Sequence, residues 1–233
     1  MRQVFLDTET TGLSTESGDR VIEIGCVEMI DRKLTGHNFH VYLNPGRDSH
    51  EEALKVHGLT TQFLQDKPVF QAVVDSFIGY IENADVFIHN ASFDIGFLNA
   101  ELALVGKLNF KSYVASVTDT LALAKDIFPG KRNSLDALCD RLEVDNSGRD
   151  LHGALLDSQL LADVYINLTR GQDVLLMDSE PSREGQLKMN HTDFSSLDLP
   201  VLQATEQDLT AHEKVLVEID QASGGKTIWR QSI

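Results

Sequence analysis

Short apolar runs with strand-like alternation recur along the first half of the chain. They cover residues 4–6, 20–30, 38–43, 86–88 and 114–118. Alternating apolar and polar positions are typical of a strand with one buried face, and short continuous apolar runs are typical of a fully buried strand. The first three runs follow one another without a helical segment between them, so they predict an antiparallel meander.

Helical spacing of apolar positions takes over after the meander. It covers residues 70–81, 93–104, 120–128 and 134–142, and a segment that ends near Leu168. Apolar residues recur there at intervals of three and four, which places them on one face of a helix. Strands followed by alternating strands and helices predict an α/β domain with a central mixed sheet of five strands flanked by helices.

The pattern changes after Gly171. Residues 178–200 contain many Ser, Asp, Glu, Asn, Gly and Pro and few apolar residues, a composition typical of a flexible linker. A helical pattern returns near Thr205 and ends at Gly224, a residue type that commonly stops a helix. We therefore expect a compact domain over residues 1–171, a linker over 172–204 and a C-terminal segment over 205–233.

The predicted C-terminal helix has an apolar stripe that a single helix cannot bury by itself. The stripe contains Leu209, Val215, Leu216 and Ile219. It indicates either a helix that docks on a partner protein, which we favour, or one that folds back onto the main domain.

The chain is acidic, with 36 Asp and Glu against 20 Lys and Arg and a formal net charge of −16. A protein that coats nucleic acid needs a basic face to displace counterions from phosphates, so the charge argues against that class. No apolar run is long enough for a membrane span. The only two cysteines, Cys26 and Cys139, argue against a disulfide-bonded secreted protein and favour a reducing cytoplasm.

Two acids at the end of the first strand are the first candidates for chemistry. Asp7 and Glu9 are two residues apart, so the period of a strand places both side chains on one face of the sheet. Adjacent carboxylates repel each other unless a cation neutralises them, and their oxygens suit hard ions such as Mg²⁺ and Mn²⁺. Solvated surface acids are the alternative, but the pair directly follows an apolar strand, which favours a metal site.

Asp94, His152 and Asp157 are weaker candidates when each is taken alone. Asp94 falls in the first turn of a predicted helix, where an acid also simply complements the helix dipole. His152 and Asp157 are five residues apart, which on one helix separates their directions by roughly 140°. They converge only if His152 precedes the helix, which Gly153 permits. The alternatives are a capping or surface histidine and an exposed helical acid.

Three motifs together are similar to those of the DEDDh exonuclease family. Residues 7–12 (DTETTG) resemble the first motif, residues 89–98 (HNASFDIGFL) the second, and residues 152–157 (HGALLD) the third, histidine-bearing motif. Residues 38–43 and 128–139 further resemble the proofreading subunits of bacterial DNA polymerase III. The resemblance covers nearly the whole chain, and it implies an RNase H-like exonuclease fold and 3′→5′ hydrolysis of DNA.

The resemblance also implies how the site residues act. Two divalent metal ions, Mg²⁺ or Mn²⁺, are held by Asp7, Glu9, Asp94 and Asp157. Asp7 bridges both ions, and His152 is the general base that takes a proton from the attacking water.

Substrate contacts are implied by the same resemblance. Asp7, Glu9 and Asp157 lie against the substrate, and Glu52 and His57 match positions that contact the terminal nucleotide. Without the resemblance, residues 52–58 are a charged loop that happens to contain a histidine. Sequence-independent contact with a frayed single strand relies on stacking and backbone contacts, which suits the removal of a mismatched end.

A short segment at the start of the predicted linker resembles peptides that insert into the beta sliding clamp. Gln172, Leu175 and Met177 have the spacing of such peptides, although Met177 stands where an aromatic residue is usual. A frayed helix end is the alternative. The resemblance implies that residues 205–233 bind the alpha (catalytic) subunit of DNA polymerase III, and it allows a small theta-like subunit. Such tethering raises the local concentration of the single-stranded 3′ end of DNA.

Two other functions are consistent with parts of the sequence. An RNA-trimming exonuclease of the same superfamily would have the same motifs, but such enzymes act as compact domains, which the linker and C-terminal helix argue against. A non-catalytic scaffold between polymerase and clamp would not need competent residues at all five site positions. We therefore expect a cytoplasmic, metal-dependent DNA exonuclease.

Overall fold

The computed structural model describes residues 2–149, 151–170 and 204–224. The chain divides into two compact units, Met1–Ser179 and Glu180–Ile233. The predicted clamp-binding residues Gln172, Leu175 and Met177 lie outside the described residues, as does the predicted linker except for Ala204. The predicted domain limits therefore stay predictions.

Six strands form one mixed sheet within the described residues. They are β1 (Arg2–Thr10), β2 (Val21–Ile30), β3 (Lys33–Leu34), β4 (Phe39–Tyr42), β5 (Asp85–Ile88) and β6 (Ser116–Asp119). β1 lies at the centre, antiparallel to β2 and parallel to β5. β6 continues the parallel part beside β5, and β3 and β4 both pair antiparallel with β2. The predicted mixed α/β sheet is confirmed, with six strands where five were predicted.

The additional strand, β3, closes a very tight hairpin with β2. Its turn residues, Asp31 and Arg32, have φ angles of 50° and 62°. Turns with two positive φ angles favour Asn-Gly or Asp-Gly; Asp31 fits this preference, but Arg32 stands where Gly is usual, so the turn signal in the sequence is weak.

Seven α-helices accompany the sheet in the described part of the first unit. They are α1 (Glu51–His57), α2 (Thr61–Leu64), α3 (Phe70–Ile81), α4 (Ala91–Leu104), α5 (Thr120–Ile127), α6 (Leu135–Leu142) and α7 (Ala154–Leu168). The last five agree with the predicted helices to within two residues at the limits that the sequence defines. α1 and α2 were not predicted, and the interpretation of residues 52–58 as a loop is wrong. α1 is a short helix with charged residues in both its turns, so it has no apolar stripe to detect.

Alternate residues of β1 enter two different hydrophobic clusters on the two faces of the sheet. Val4 and Leu6 pack with Phe77 of α3 in the larger cluster. Phe5, between them, packs with Leu161 of α7. Continuing this alternation past Leu6 directs the odd-numbered side chains of β1 toward the α7 face.

The second unit is described over α8 (Glu206–Ser223), which confirms the predicted C-terminal helix. Thr205 and Asp208 form a capping box at its start, and Gly224 ends it in the left-handed conformation with φ 63°. Leu209, Val215 and Ile219 of its apolar stripe are exposed, and Leu216 is half-buried. Trp229 lies outside the described residues. None of the described helices has the length and apolarity that crossing a membrane requires.

Candidate active site

The end of β1 supplies two of the predicted site residues. Asp7 and Glu9 continue the face that Phe5 begins, so both carboxylates project on the side covered by α7. Glu9 is 8% exposed, and Asp7 is partly exposed. The strand alternation predicted from the sequence therefore places the two acids side by side.

A glycine in β2 lets α7 approach this pair closely. Gly25 is the register partner of Asp7, and a Cβ atom added to it would lie 2.2 Å from backbone atoms of Ala154 and Leu155. The Ser158 hydroxyl donates a hydrogen bond of 2.9 Å to the Gly25 carbonyl, fixing the helix on the strand. The first turn of α7, which contains the buried Asp157, is thereby held beside the β1 acids.

Asp94 reaches the site from the first turn of α4. Asn90, with φ 66°, turns the chain from β5 into this helix. The backbone N–H and the hydroxyl of Thr8 donate to Oδ1 of Asp94 at 3.0 and 2.7 Å. Thr8 lies between Asp7 and Glu9 and projects to the other face, so it ties the buried Asp94 to the end of β1.

His152 lies outside regular secondary structure, one residue before Gly153, the N-cap of α7. This placement confirms the prediction drawn from its five-residue separation from Asp157. The N–H of His152 donates to the carbonyl of Val56 in α1 at 3.0 Å. The side chain is 44% exposed, and its Nδ1 lies 3.2 Å from Oδ2 of Asp157.

All five predicted residues line one open cavity of about 430 Å³. Within the described residues, ligand atoms of Glu9, His152 and Asp157 all lie within 4.8 Å of one another. Two carboxylate oxygens and an imidazole nitrogen at that separation suit a divalent metal ion. The structure therefore brings the predicted residues together, while the role of each stays a prediction.

Electrostatics around the β1 acids favour a cation. Burial, followed by the charges of Asp94, Glu9 and Asp157, raises the pKa of Asp7 well above its ordinary value. Burial and the charge of Asp157 raise the pKa of Glu9 to about 8. Burial also raises the pKa of Asp94 to about 7. Ionising these groups together is costly without a positive charge among them, which is how metal-binding carboxylates behave.

Asp157 differs from the other three acids. Burial raises its pKa, but hydrogen bonds from His152 and Arg149 outweigh burial, and the net pKa lies below the ordinary value. Sequence reasoning missed Arg149, whose guanidinium Nε donates to Oδ1 of Asp157 at 2.6 Å. Its position three residues before His152 was the only available signal, and nothing in the local pattern showed an inward side chain.

A second cavity, of about 710 Å³, holds one of the two predicted nucleotide contacts. Glu52 lines it, together with residues of the loop that follows β1. His57 lines neither cavity and is 4% exposed. Its Nδ1 accepts a hydrogen bond from the N–H of Leu59 at 2.9 Å, which leaves the buried Nε2 without a partner among the described residues. Leu13, 82% exposed, lines both cavities.

Comparisons with known proteins agree with this geometry. Residues 4–165 match the family described as Exonuclease. The DNA polymerase III subunit epsilon of Salmonella typhimurium is 50% identical over 237 residues, covering 98% of this chain and 97% of that protein. A solved complex of exonuclease X with 5′ overhanging duplex DNA has a TM-score of 0.57 at 25% identity, covering 72% of this chain and 91% of that one. The nuclease domain of 3′hExo, a DEDDh family member solved with rAMP, has a TM-score of 0.61 at 17% identity. It covers 72% of this chain and 92% of that domain, and it supports the fold alone.

Proposed function

This chain belongs to the exonuclease family and, within it, to the epsilon subunits of DNA polymerase III, and we propose that it removes mismatched nucleotides from the 3′ end of DNA as a proofreading exonuclease. One observation carries the proposal. Four acids from β1, α4 and α7 converge with a histidine on a single open cavity, and three of them have a raised pKa. Such a cluster suits the hydrolysis of a phosphodiester with the help of metal ions.

The donor set fits the divalent metal ions that this family uses. The finer assignment is two ions, Mg²⁺ or Mn²⁺, held by Asp7, Glu9, Asp94 and Asp157. Ions bound there would supply an activated water and would stabilise the negative charge that develops on the leaving 3′ oxygen. The carboxylates are fixed on strand and helix ends. They would therefore hold the ions in place, and the ions would keep the scissile phosphate in the site.

His152 is assigned as the general base. It lies at the mouth of the cavity, half-exposed, and its backbone is anchored to α1 rather than to the helix that carries Asp157. Histidine exchanges protons near neutral pH, which suits removal of a proton from water. Its Nδ1 faces Asp157, so the Nε2 side of the ring is the one available to the water.

The two cavities together suit the end of a single strand. Leu13 separates them and exposes an apolar surface on which bases can stack. Glu52 lines the second cavity, which supports its assignment to contact with the terminal nucleotide. His57 lies buried on the same helix, so its assignment to nucleotide contact requires its unpaired Nε2 to become accessible. A mismatched end frays more readily and therefore enters such a site more often.

Association with the DNA polymerase III core follows from family membership, and the contacts are assigned as follows. The segment over 205–233 binds the alpha subunit, and the exposed apolar side chains of α8 support this assignment. Gln172, Leu175 and Met177 are assigned to the beta sliding clamp, and a theta-like subunit is a further candidate partner. The complex works in the cytoplasm on the replicating strand.

Digestion of primers labelled at the 5′ end tests the proposal. We expect stepwise shortening from the 3′ end, faster from a mismatched DNA terminus than from a paired one, and slower on RNA of the same sequence. A strong preference for RNA would instead support the RNA-trimming alternative. No hydrolysis of any substrate, with the fold intact, would support the non-catalytic scaffold.

A further inference from the structure

Arg149 lines the cavity that contains the five predicted site residues. Its side chain is 6% exposed, and it is the only Lys or Arg among the described residues that line the cavity. Nε and Nη2 of the guanidinium donate to Oδ1 and Oδ2 of Asp157 at 2.6 and 2.5 Å. Nη1 donates to Asp136, an exposed residue of α6. The guanidinium thus bridges a buried acid of the site and an acid at its rim.

The pairing with Asp157 involves both of its carboxylate oxygens. A metal ion coordinated by Asp157 would need one of the same oxygens and would place its charge next to the guanidinium. The positive charges of the metal ion and the guanidinium, both beside the same carboxylate, would repel each other strongly in a partly buried site. Arg149 and a metal ion therefore compete for Asp157.

The same guanidinium also engages His152. Its Nη2 lies 2.8 Å from Nδ1 of the ring, which in turn is 3.2 Å from Oδ2 of Asp157. Nη2 of the guanidinium therefore contacts both the ring of His152 and the carboxylate of Asp157. A cation that displaces the guanidinium from Asp157 also removes its contact with the ring.

We propose that Arg149 is a positioning residue that substitutes for a metal ion at Asp157, contacts His152 at the same time, and releases both residues when a metal ion binds. This inference rests on the proposed function. Asp136 retains the arginine at the rim after release, so the guanidinium pivots rather than leaving the site. Metal binding and the release of His152 become one event, because a single guanidinium contacts both residues beforehand.

Metal binding to the full chain tests the competition. Calorimetric titration with Mn²⁺ would compare wild type with Arg149→Met, which removes the charge and the donors, and with Arg149→Lys, whose ammonium cannot bridge both oxygens. We expect binding to tighten roughly tenfold in Arg149→Met, since a like charge is removed, and to a smaller extent in Arg149→Lys. Arg141→Met is the matched control, because Arg141 bonds Asn133 and stacks on Phe128 outside the cavity. Unchanged or weaker binding in both Arg149 variants would overturn the proposal.

Tighter binding in Arg149→Met is a result that a merely structural arginine would not give, because the loss of a structural contact would loosen the site and weaken binding. Unchanged affinity would contradict the inference while leaving the exonuclease proposal intact. Loss of that proposal looks different, because an Asp7→Ala variant would then bind Mn²⁺ as wild type does.

Discussion

Replacing Glu9 by Gln is expected to stabilise the protein when metal is removed, while abolishing its activity. Burial, Asp157 and Glu23 raise the pKa of Glu9 from 4.5 to about 8. Because the folded protein holds this proton more tightly than the unfolded chain does, the group opposes folding as the pH rises from about 4.5 to about 8. A neutral amide of similar shape removes that penalty.

The size of the effect follows from the shift. pH 7 lies about 2.5 units above the ordinary pKa of this carboxyl, which is then ionised in the unfolded chain but mostly protonated in the folded protein. At about 1.4 kcal/mol per unit, this difference lowers the free energy of unfolding by roughly 3 kcal/mol. Above pH 8 the full shift gives roughly 5 kcal/mol as an upper limit. For a chain of this length, 3 kcal/mol corresponds to a rise in melting temperature of roughly 6–12 °C.

Thermal unfolding in EDTA across this pH range measures the effect, with Glu82→Gln as the control because Glu82 is exposed at the end of α3. The increase in melting temperature of Glu9→Gln over wild type should grow with pH. It should shrink or reverse with excess Mn²⁺, because the carboxylate of Glu9 binds the ion and the amide that replaces it does not. A Glu9→Gln protein that is less stable than wild type in EDTA at every pH would refute the electrostatic account of the site.

Three further substitutions probe separate features of the site. His152→Ala should lower the rate of hydrolysis strongly while Mn²⁺ binding measured by calorimetry persists; loss of both would assign the histidine to the metal rather than to the proton. Gly25→Ala should cost roughly 2–4 kcal/mol in denaturant unfolding, because its Cβ meets the backbone of α7 at 2.2 Å, and a neutral effect would mean that the helix is not seated there. Thr8→Val should cost roughly 1–2 kcal/mol by removing one donor to Asp94 and should reduce activity. If Thr8→Val hydrolyses its substrate at the wild-type rate, the hydrogen bond from the Thr8 hydroxyl does not position Asp94.

Two features of the site were predictable because they depend on local geometry. Strand alternation alone places Asp7 and Glu9 on one face, and the structure has them there. Helical periodicity excludes His152 and Asp157 from a common helix face, and His152 lies before the helix. Asp94 was persuasive only as part of its motif, since an acid in the first turn of a helix is common.

The features that were missed depend on long-range contacts. Arg149 belongs to a segment without periodicity, and only the packing of α6 and α7 turns its side chain inward onto Asp136 and Asp157. The close approach of α7 depends on Gly25, a residue of a strand far away in sequence. α1 is a charged helix of two turns whose backbone supports His152 through Val56, which no pattern within either segment could indicate.

Digestion of a mismatched primer by wild type, Asp7→Asn and Asp163→Asn, each with Mn²⁺ and with EDTA, tests the central claim most directly. Asp163 lies on α7 but outside the cavity, so it controls for loss of an acid on the same scaffold. The account predicts 3′→5′ release of nucleotides by wild type and Asp163→Asn with Mn²⁺, none with EDTA, and nearly none by folded Asp7→Asn under either condition. An Asp7→Asn protein that digests the primer at the wild-type rate would contradict the assignment of this cavity as the metal-dependent active site.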